Sequence, residues 1–128
     1  MAAKAFAVVA GVGPGTGASC ARRFAKAYPV VCLARKPESY NDIVDEINKS
    51  GGKAIGISTD ISSQESVDAA FKKIKSEFGD ATCAAAVFNA SGRFTRGPLL
   101  EAKPDDFEAG WQVSVYVAPP KCLTGMLR

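Results

Sequence analysis

Ala10-Gly11-Val12-Gly13-Pro14-Gly15-Thr16-Gly17 carries four glycines at alternate positions, and what flanks it decides the fold. Before it, residues 6–10 form an unbroken apolar run of the length of a buried strand. After it, Ala21, Phe24, Ala25 and Tyr28 recur at helical spacing up to Pro29, which closes the helix. A strand, a glycine turn and a helix make the first half of a β-α-β unit. Glycines at such a turn permit positive φ and let backbone N–H groups approach an anion, which the positive end of the helix also favours. Two spacings fit. Gly13, Gly15 and Ala18 satisfy G-x-G-x-x-[G/A], whereas Gly11, Gly15 and Gly17 satisfy G-x-x-x-G-x-G. Neither contains the Lys-Ser/Thr pair of a triphosphate-binding loop, and a glycine turn without a ligand is the plain alternative.

Further along, the pattern repeats. Val30–Ala34 reads as a second strand, and Tyr40, Ile43, Val44 and Ile47 mark a second helix that stops at Gly51-Gly52. Ala54–Ser58 is a third strand. Ser62 and Glu65 have the spacing of a capping box before a helix with Val67, Ala70, Phe71, Ile74 and Phe78 on its core face, ended by Gly79. Residues 84–89 form a fourth strand. Pro104 then opens a helix with Phe107, Trp111, Val115 and Ala118 on one side, stopped by Pro119-Pro120. Strands alternating with helices predict an α/β fold with a parallel sheet. No repeat or linker divides the chain, so one domain over residues 1–118 and a divergent tail over 119–128 are expected.

Composition narrows the chemistry. The 128 residues hold 16 Lys+Arg against 13 Asp+Glu, a net charge of +3, and no histidine. That removes Ser-His-Asp and Cys-His nucleophiles and imidazole ligation of metals. Cys20, Cys32, Cys83 and Cys122 show no C-x-x-C spacing and no signal peptide precedes them, so reduced thiols in a cytoplasmic protein are expected. The longest apolar runs fall far short of the roughly 20 residues that span a bilayer. Positive charges are scattered rather than clustered with aromatic residues, which argues against nucleic acid as a partner.

If the glycine turn holds a dinucleotide, an acidic residue about 20 positions on would take the adenosine ribose. Leu33-Ala34-Arg35-Lys36 offers none. Arg35 can instead pair with a 2′-phosphate, which favours NADP over NAD, and the bland alternative is that Arg35 and Lys36 are solvated loop residues.

These residues resemble the N-terminal half of the short-chain dehydrogenase/reductase family, with its T-G-x-x-x-G-x-G loop standing here as residues 10–17 and Ala10 in place of Thr. The resemblance runs over roughly residues 4–118. It implies a Rossmann-like doubly wound parallel sheet, incomplete at about four strands, and selects the spacing of Gly11, Gly15 and Gly17. It assigns the cofactor to Gly11, Gly15, Thr16, Gly17, Arg35, Asp60 as an acidic adenine contact, and Asn89 in the loosened N-N-A-G stretch Asn89-Ala90-Ser91-Gly92. Asn89 also reads as a strand-end residue capping nearby backbone.

The same resemblance shows departures. The family's catalytic Tyr is followed four residues later by Lys, but Tyr28 is followed there by Cys32, Tyr40 by Val44 and Tyr116 by Pro120, with Lys121 one position late. No Ser/Tyr/Lys catalytic set is assigned, and Ser114 stands where the family commonly has Asn. The chain thus reads as truncated before the Y-x-x-x-K motif. Its expected role is the NADP-binding portion of an oxidoreductase that exchanges hydride between a small carbonyl and an alcohol in its complete form, with catalysis impaired in this chain. Arg93, Phe94 and Arg96 are candidates to touch substrate or plain loop residues. The alternative role is a non-catalytic interaction protein that pairs with a full-length relative through an exposed sheet edge or the Trp111 helix, by which self-association is also expected.

Overall fold

Val8, Val9, Val30, Val31 and Cys32 are fully shielded from solvent, as apolar runs must be when both faces of a sheet are covered. The computed structural model describes residues 4–92 and 96–116, with backbone only at 115 and 116. Four parallel strands, β1 (Ala5–Ala10), β2 (Val30–Ala34), β3 (Ala54–Ser58) and β4 (Thr82–Phe88), lie in the order β3-β2-β1-β4. The helices are α1 (Thr16–Phe24), α2 (Asn41–Lys49), α3 (Gln64–Phe78) and α4 (Pro104–Trp111).

Period-two alternation sorts the strand residues between two cores. Val9, Val30 and Cys32 meet Ala18 and Ala21 of α1 and Ile43 and Ile47 of α2. Val8, Ala10, Val31 and Leu33 face the other way, towards Ala70, Ile74 and Phe78 of α3. Helices therefore cover both faces, the doubly wound arrangement expected from the sequence. Phe6 stacks on Phe78 with centroids 4.9 Å apart. On the α2 side, Asn48 brackets the start of β3: its Nδ2 donates to the Ala54 carbonyl at 3.0 Å, and the Ala54 N–H donates to its Oδ1 at 2.8 Å. The Tyr40 ring lies over Gly56, where any side chain would overlap it, and its hydroxyl shares a 3.0 Å hydrogen bond with Ser58.

Four local expectations change. The helix α1 stops at Phe24 rather than at Pro29, because the Phe24 carbonyl accepts the N–H groups of both Ala27 and Tyr28 in a tight turn. The N-cap of α3 is Ser63, whose hydroxyl accepts from the Ser66 N–H, while Ser62 is drawn away by Asp60; the capping-box reading of Ser62 with Glu65 fails for that reason. The strand β4 begins at Thr82, and its pairing with β1 slips between Phe6 and Ala7, leaving Ala84 as the extra residue of a bulge. Finally, α4 buries none of its residues and passes into a wider, π-helical turn over Gln112–Tyr116. Phe107 and Trp111 remain 64% and 59% exposed among the described residues, while Gly110 of α4 lies against Gly92. Ala118, Pro119, Pro120, Cys122, Arg93 and Phe94 lie outside the described residues.

With β4 at one end of the order, its outer edge has no neighbouring strand among the described residues, and Ala84 and Ala86 are exposed. Cys20, Cys32 and Cys83 are free thiols. No described helix is long and apolar enough to cross a membrane.

Candidate functional site

From β1 the sheet grows one way through β2 and β3 and the other way through β4, so a crevice opens beyond the carboxyl ends of the strands where the direction reverses. A cleft of about 670 Å³ lies there. Its floor is the turn at residues 11–17, one end holds Arg35, Lys36, Ser39 and Asp60, and the other is walled by residues 89–92 and Val113.

Two glycines of the turn are dictated by space. Gly11 has φ +90°, and a Cβ there would lie 2.5 Å from the Ala90 Cα and 2.7 Å from the Asn89 carbonyl carbon. A Cβ on Gly17 would lie 2.6 Å from the Gly11 oxygen. Gly13 and Gly15 face open space. The close approaches thus fall on the first and last glycines of G-x-x-x-G-x-G, which physically separates the two spacings. Gly15 caps α1 without a side-chain hydrogen bond, and the first turn, beginning at Thr16, holds no acidic residue. A bare helix N-terminus at the floor of a cleft suits an anion.

Arg35 and Lys36 are exposed immediately after β2. Asp60 follows β3 and is held by Ser62, whose N–H and hydroxyl both donate to Oδ1, at 2.9 and 2.6 Å. These bonds, with a smaller contribution from the Arg35 charge, keep its carboxyl below the usual carboxylate range. Oδ2 has no hydrogen-bond partner among the described residues. Asn89 acts as a brace: its N–H donates to the Ala10 carbonyl at 2.7 Å and its Nδ2 to the Gly11 carbonyl at 3.0 Å, tying β4 to the glycine turn.

Gly11, Gly15, Thr16, Gly17, Arg35, Asp60 and Asn89 therefore line one cleft. Ser114 is not part of its lining; its hydroxyl accepts the Gly92 N–H at 2.9 Å instead. Sequence reading missed Ser39 and Thr59. Ser39 ends a single 3₁₀ turn after Pro37, and Thr59 is a buried residue whose hydroxyl donates to the Ile57 carbonyl. The proline after Arg35-Lys36 was the available signal for Ser39, since it turns the chain back over the cleft. No group of described residues could hold a metal ion. A second cavity of about 620 Å³ lies elsewhere, between residues 96–102 and α4, lined by Pro98, Leu99, Phe107 and Trp111 among others.

The family model for short chain dehydrogenases matches residues 5–119. The chain belongs to the short chain dehydrogenase family. Members of this oxidoreductase family use nicotinamide dinucleotides. A short chain dehydrogenase of Pseudocercospora fijiensis is 33% identical over 120 residues, which is 92% of this chain and 38% of that protein. Among solved structures, a metagenomic short-chain oxidoreductase in complex with NADP superposes with TM-score 0.85 at 28% identity, covering 98% of this chain and 56% of the other. The hydroxysteroid dehydrogenase of Escherichia coli gives TM-score 0.76 at 29% identity, with 89% and 47% covered. The chain thus spans about two-fifths of the length of the curated relatives it matches and about half that of the solved short-chain dehydrogenases.

Proposed function

We propose that this chain is the NADP-binding portion of a short-chain oxidoreductase, whose complete form transfers hydride between the cofactor and a small carbonyl or alcohol. The pairing of Arg35 and Lys36 at the end of β2, where a carboxylate for the 2′-hydroxyl is missing, carries this reading. Arg35 pairs with the 2′-phosphate and Asp60 accepts from the adenine amine. The N–H groups at Gly15, Thr16 and Gly17 hold the pyrophosphate, and the nicotinamide half extends towards Asn89. The NADP held by the metagenomic relative supports the same choice. When bound, the cofactor supplies the hydride, and the residues named here bind and orient it. Because none of its tyrosines is followed by Lys at the fourth position, the 128 residues by themselves bind cofactor without turning over at rates typical of the family. Residues 119–128 are proposed as a tail outside the binding domain, and the protein as cytoplasmic.

The test is a fluorescence titration of the chain with NADPH and NADH, repeated on Arg35→Ala. Loss of a charge-assisted pair, about 1.5–3 kcal/mol, should weaken NADPH about 10- to 150-fold and leave NADH unchanged. Equal weakening of both, or of neither, counts against Arg35 as the phosphate ligand.

The edge of β4, which no strand covers among the described residues, and the exposed Phe107 and Trp111 favour a second reading, a non-catalytic partner of a full-length relative or of a second copy. Co-purification with that relative, lost in Trp111→Lys, would support it; a monomer indifferent to the substitution would sink it.

A further inference from the structure

We propose that Tyr40 is a positioning residue for the 2′-phosphate of the cofactor. Through its hydrogen bond to Ser58 it holds the loop of residues 35–39 closed on the end of β3, and so fixes where Arg35 stands. The inference rests on the cofactor reading above and adds to it two residues, Tyr40 and Ser58, that do not themselves line the cleft.

The loop is tied at both ends to the same strand end. At its start, Ala34 pairs with Ser58 across the sheet, and the Thr59 N–H donates to the Ala34 carbonyl at 2.8 Å. Arg35 and Lys36 follow, and the single 3₁₀ turn at Pro37–Ser39 brings the chain back. In that turn the Ser39 N–H donates to the Lys36 carbonyl and the Tyr40 N–H to the Pro37 carbonyl, each at 3.0 Å. At the far end Tyr40 is buried, and its hydroxyl shares a 3.0 Å hydrogen bond with the Ser58 hydroxyl. Ser58 therefore meets the loop twice, through the sheet register and through a side chain. Asp60 lies two residues further on, so the adenine contact and the phosphate ligands are referred to one anchor.

The seat of Tyr40 is specific. A Cβ on Gly56 would overlap Cδ2, Cε2 and Cζ of the Tyr40 ring, so the glycine supplies the room that the ring occupies. Gly56 and Ser58 are two apart in a strand and share a face, which puts a hydroxyl partner beside a ring seated on the glycine. The Tyr40 carbonyl also accepts the Val44 N–H at 2.9 Å, so the residue that closes the loop starts α2, whose Ile43 and Ile47 are buried in the core. A guanidinium–phosphate pair depends on the placement of its planar fork, so a loop loose at its far end holds the phosphate less well.

The experiment measures the affinity of the 128-residue chain for NADPH and for NADH by fluorescence titration. The variants are Tyr40→Phe, Ser58→Ala, Ser58→Thr and Tyr40→Phe in the Arg35→Ala background. Tyr40→Phe keeps the ring on Gly56 and removes only the hydroxyl. Loss of that one hydrogen bond should weaken NADPH about threefold to tenfold and leave NADH within about twofold. Ser58→Ala should repeat the selective loss, whereas Ser58→Thr keeps a hydroxyl and should bind NADPH as wild type does. Because Tyr40 acts through Arg35, Tyr40→Phe should weaken NADPH by no more than about twofold once Arg35 is Ala. A general loosening of the fold would instead lower the melting midpoint and leave the ratio of the two affinities unchanged. Equal weakening of both cofactors, or of neither, overturns the proposal, as does an undiminished effect in the Arg35→Ala background or a selective loss in Ser58→Thr. Wild type that binds neither cofactor, or NADH as tightly as NADPH, refutes the cofactor reading and this proposal with it; a wild-type preference for NADPH that survives Tyr40→Phe unchanged refutes the role of Tyr40 alone.

Discussion

Alanine placed at three glycines in turn separates the two reasons a turn can demand glycine. Gly13 has negative φ and open space, so Ala should range from neutral to about 1 kcal/mol stabilising by restricting the unfolded chain. Gly51 has φ +87° and open space, so Ala bears the left-handed penalty alone, about 1–2 kcal/mol. Gly11 has φ +90° and also lies against the backbone of Asn89 and Ala90. Backbone cannot rotate out of the way as a side chain can, and overpacking adds about 1–3 kcal/mol, for a total of about 2–5 kcal/mol. For a domain of this length each kcal/mol moves the melting midpoint by about 3–5 °C. Circular dichroism melts should therefore give no loss for Gly13→Ala, about 3–10 °C for Gly51→Ala and about 6–25 °C for Gly11→Ala. A Gly11→Ala midpoint no lower than that of Gly51→Ala would refute the close packing of β4 on the glycine turn.

Burial pushes the Cys32 thiol up to about 12, so a thiol reagent at pH 8 should label it only after unfolding. Between pH 9 and 12 the unfolded chain releases that proton and the folded chain retains it, so stability should fall with rising pH in that window and Cys32→Ser should flatten the slope. Asp60 behaves with the opposite sign: its folded carboxyl titrates below its ordinary value of 3.8, so its contribution is present above that pH and lost as pH falls through the lower folded value. Removing its main partner in Ser62→Ala should raise the Asp60 titration midpoint measured by carbonyl-carbon NMR; an unchanged midpoint would rule out the hydroxyl as its cause.

The parallel sheet was legible because short apolar runs separated by helical periods leave parallel pairing as the economical solution, and the glycine turn marks β1 as the strand beside the cleft. Both faces of Val30–Ala34 are buried, so the run is continuously apolar and easily seen. What sequence could not give were contacts that depend on where two distant segments meet. The competition of Asp60 for Ser62 decided the α3 cap, since Ser62 and Ser63 are chemically identical candidates one residue apart. The stripe of Phe107 and Trp111 has helical spacing, yet periodicity cannot say whether a neighbour covers it. In the cleft, Arg35 was readable from its place at the end of β2, and Asp60 only through the family resemblance. Gly92 was visible only as part of a motif, because its contact with Gly110 and Ser114 joins segments that no local pattern relates.

The most direct test of the NADP-binding reading is a thermal melt of the chain alone, with NADPH, and with NADH at the same concentration. A ligand that binds only the folded state at about 100 times its Kd adds about 2.7 kcal/mol, a rise of several degrees for a domain of this size. The account predicts one cooperative transition, raised by NADPH more than by NADH. A transition that neither cofactor moves, or that NADH raises as far as NADPH, would contradict it.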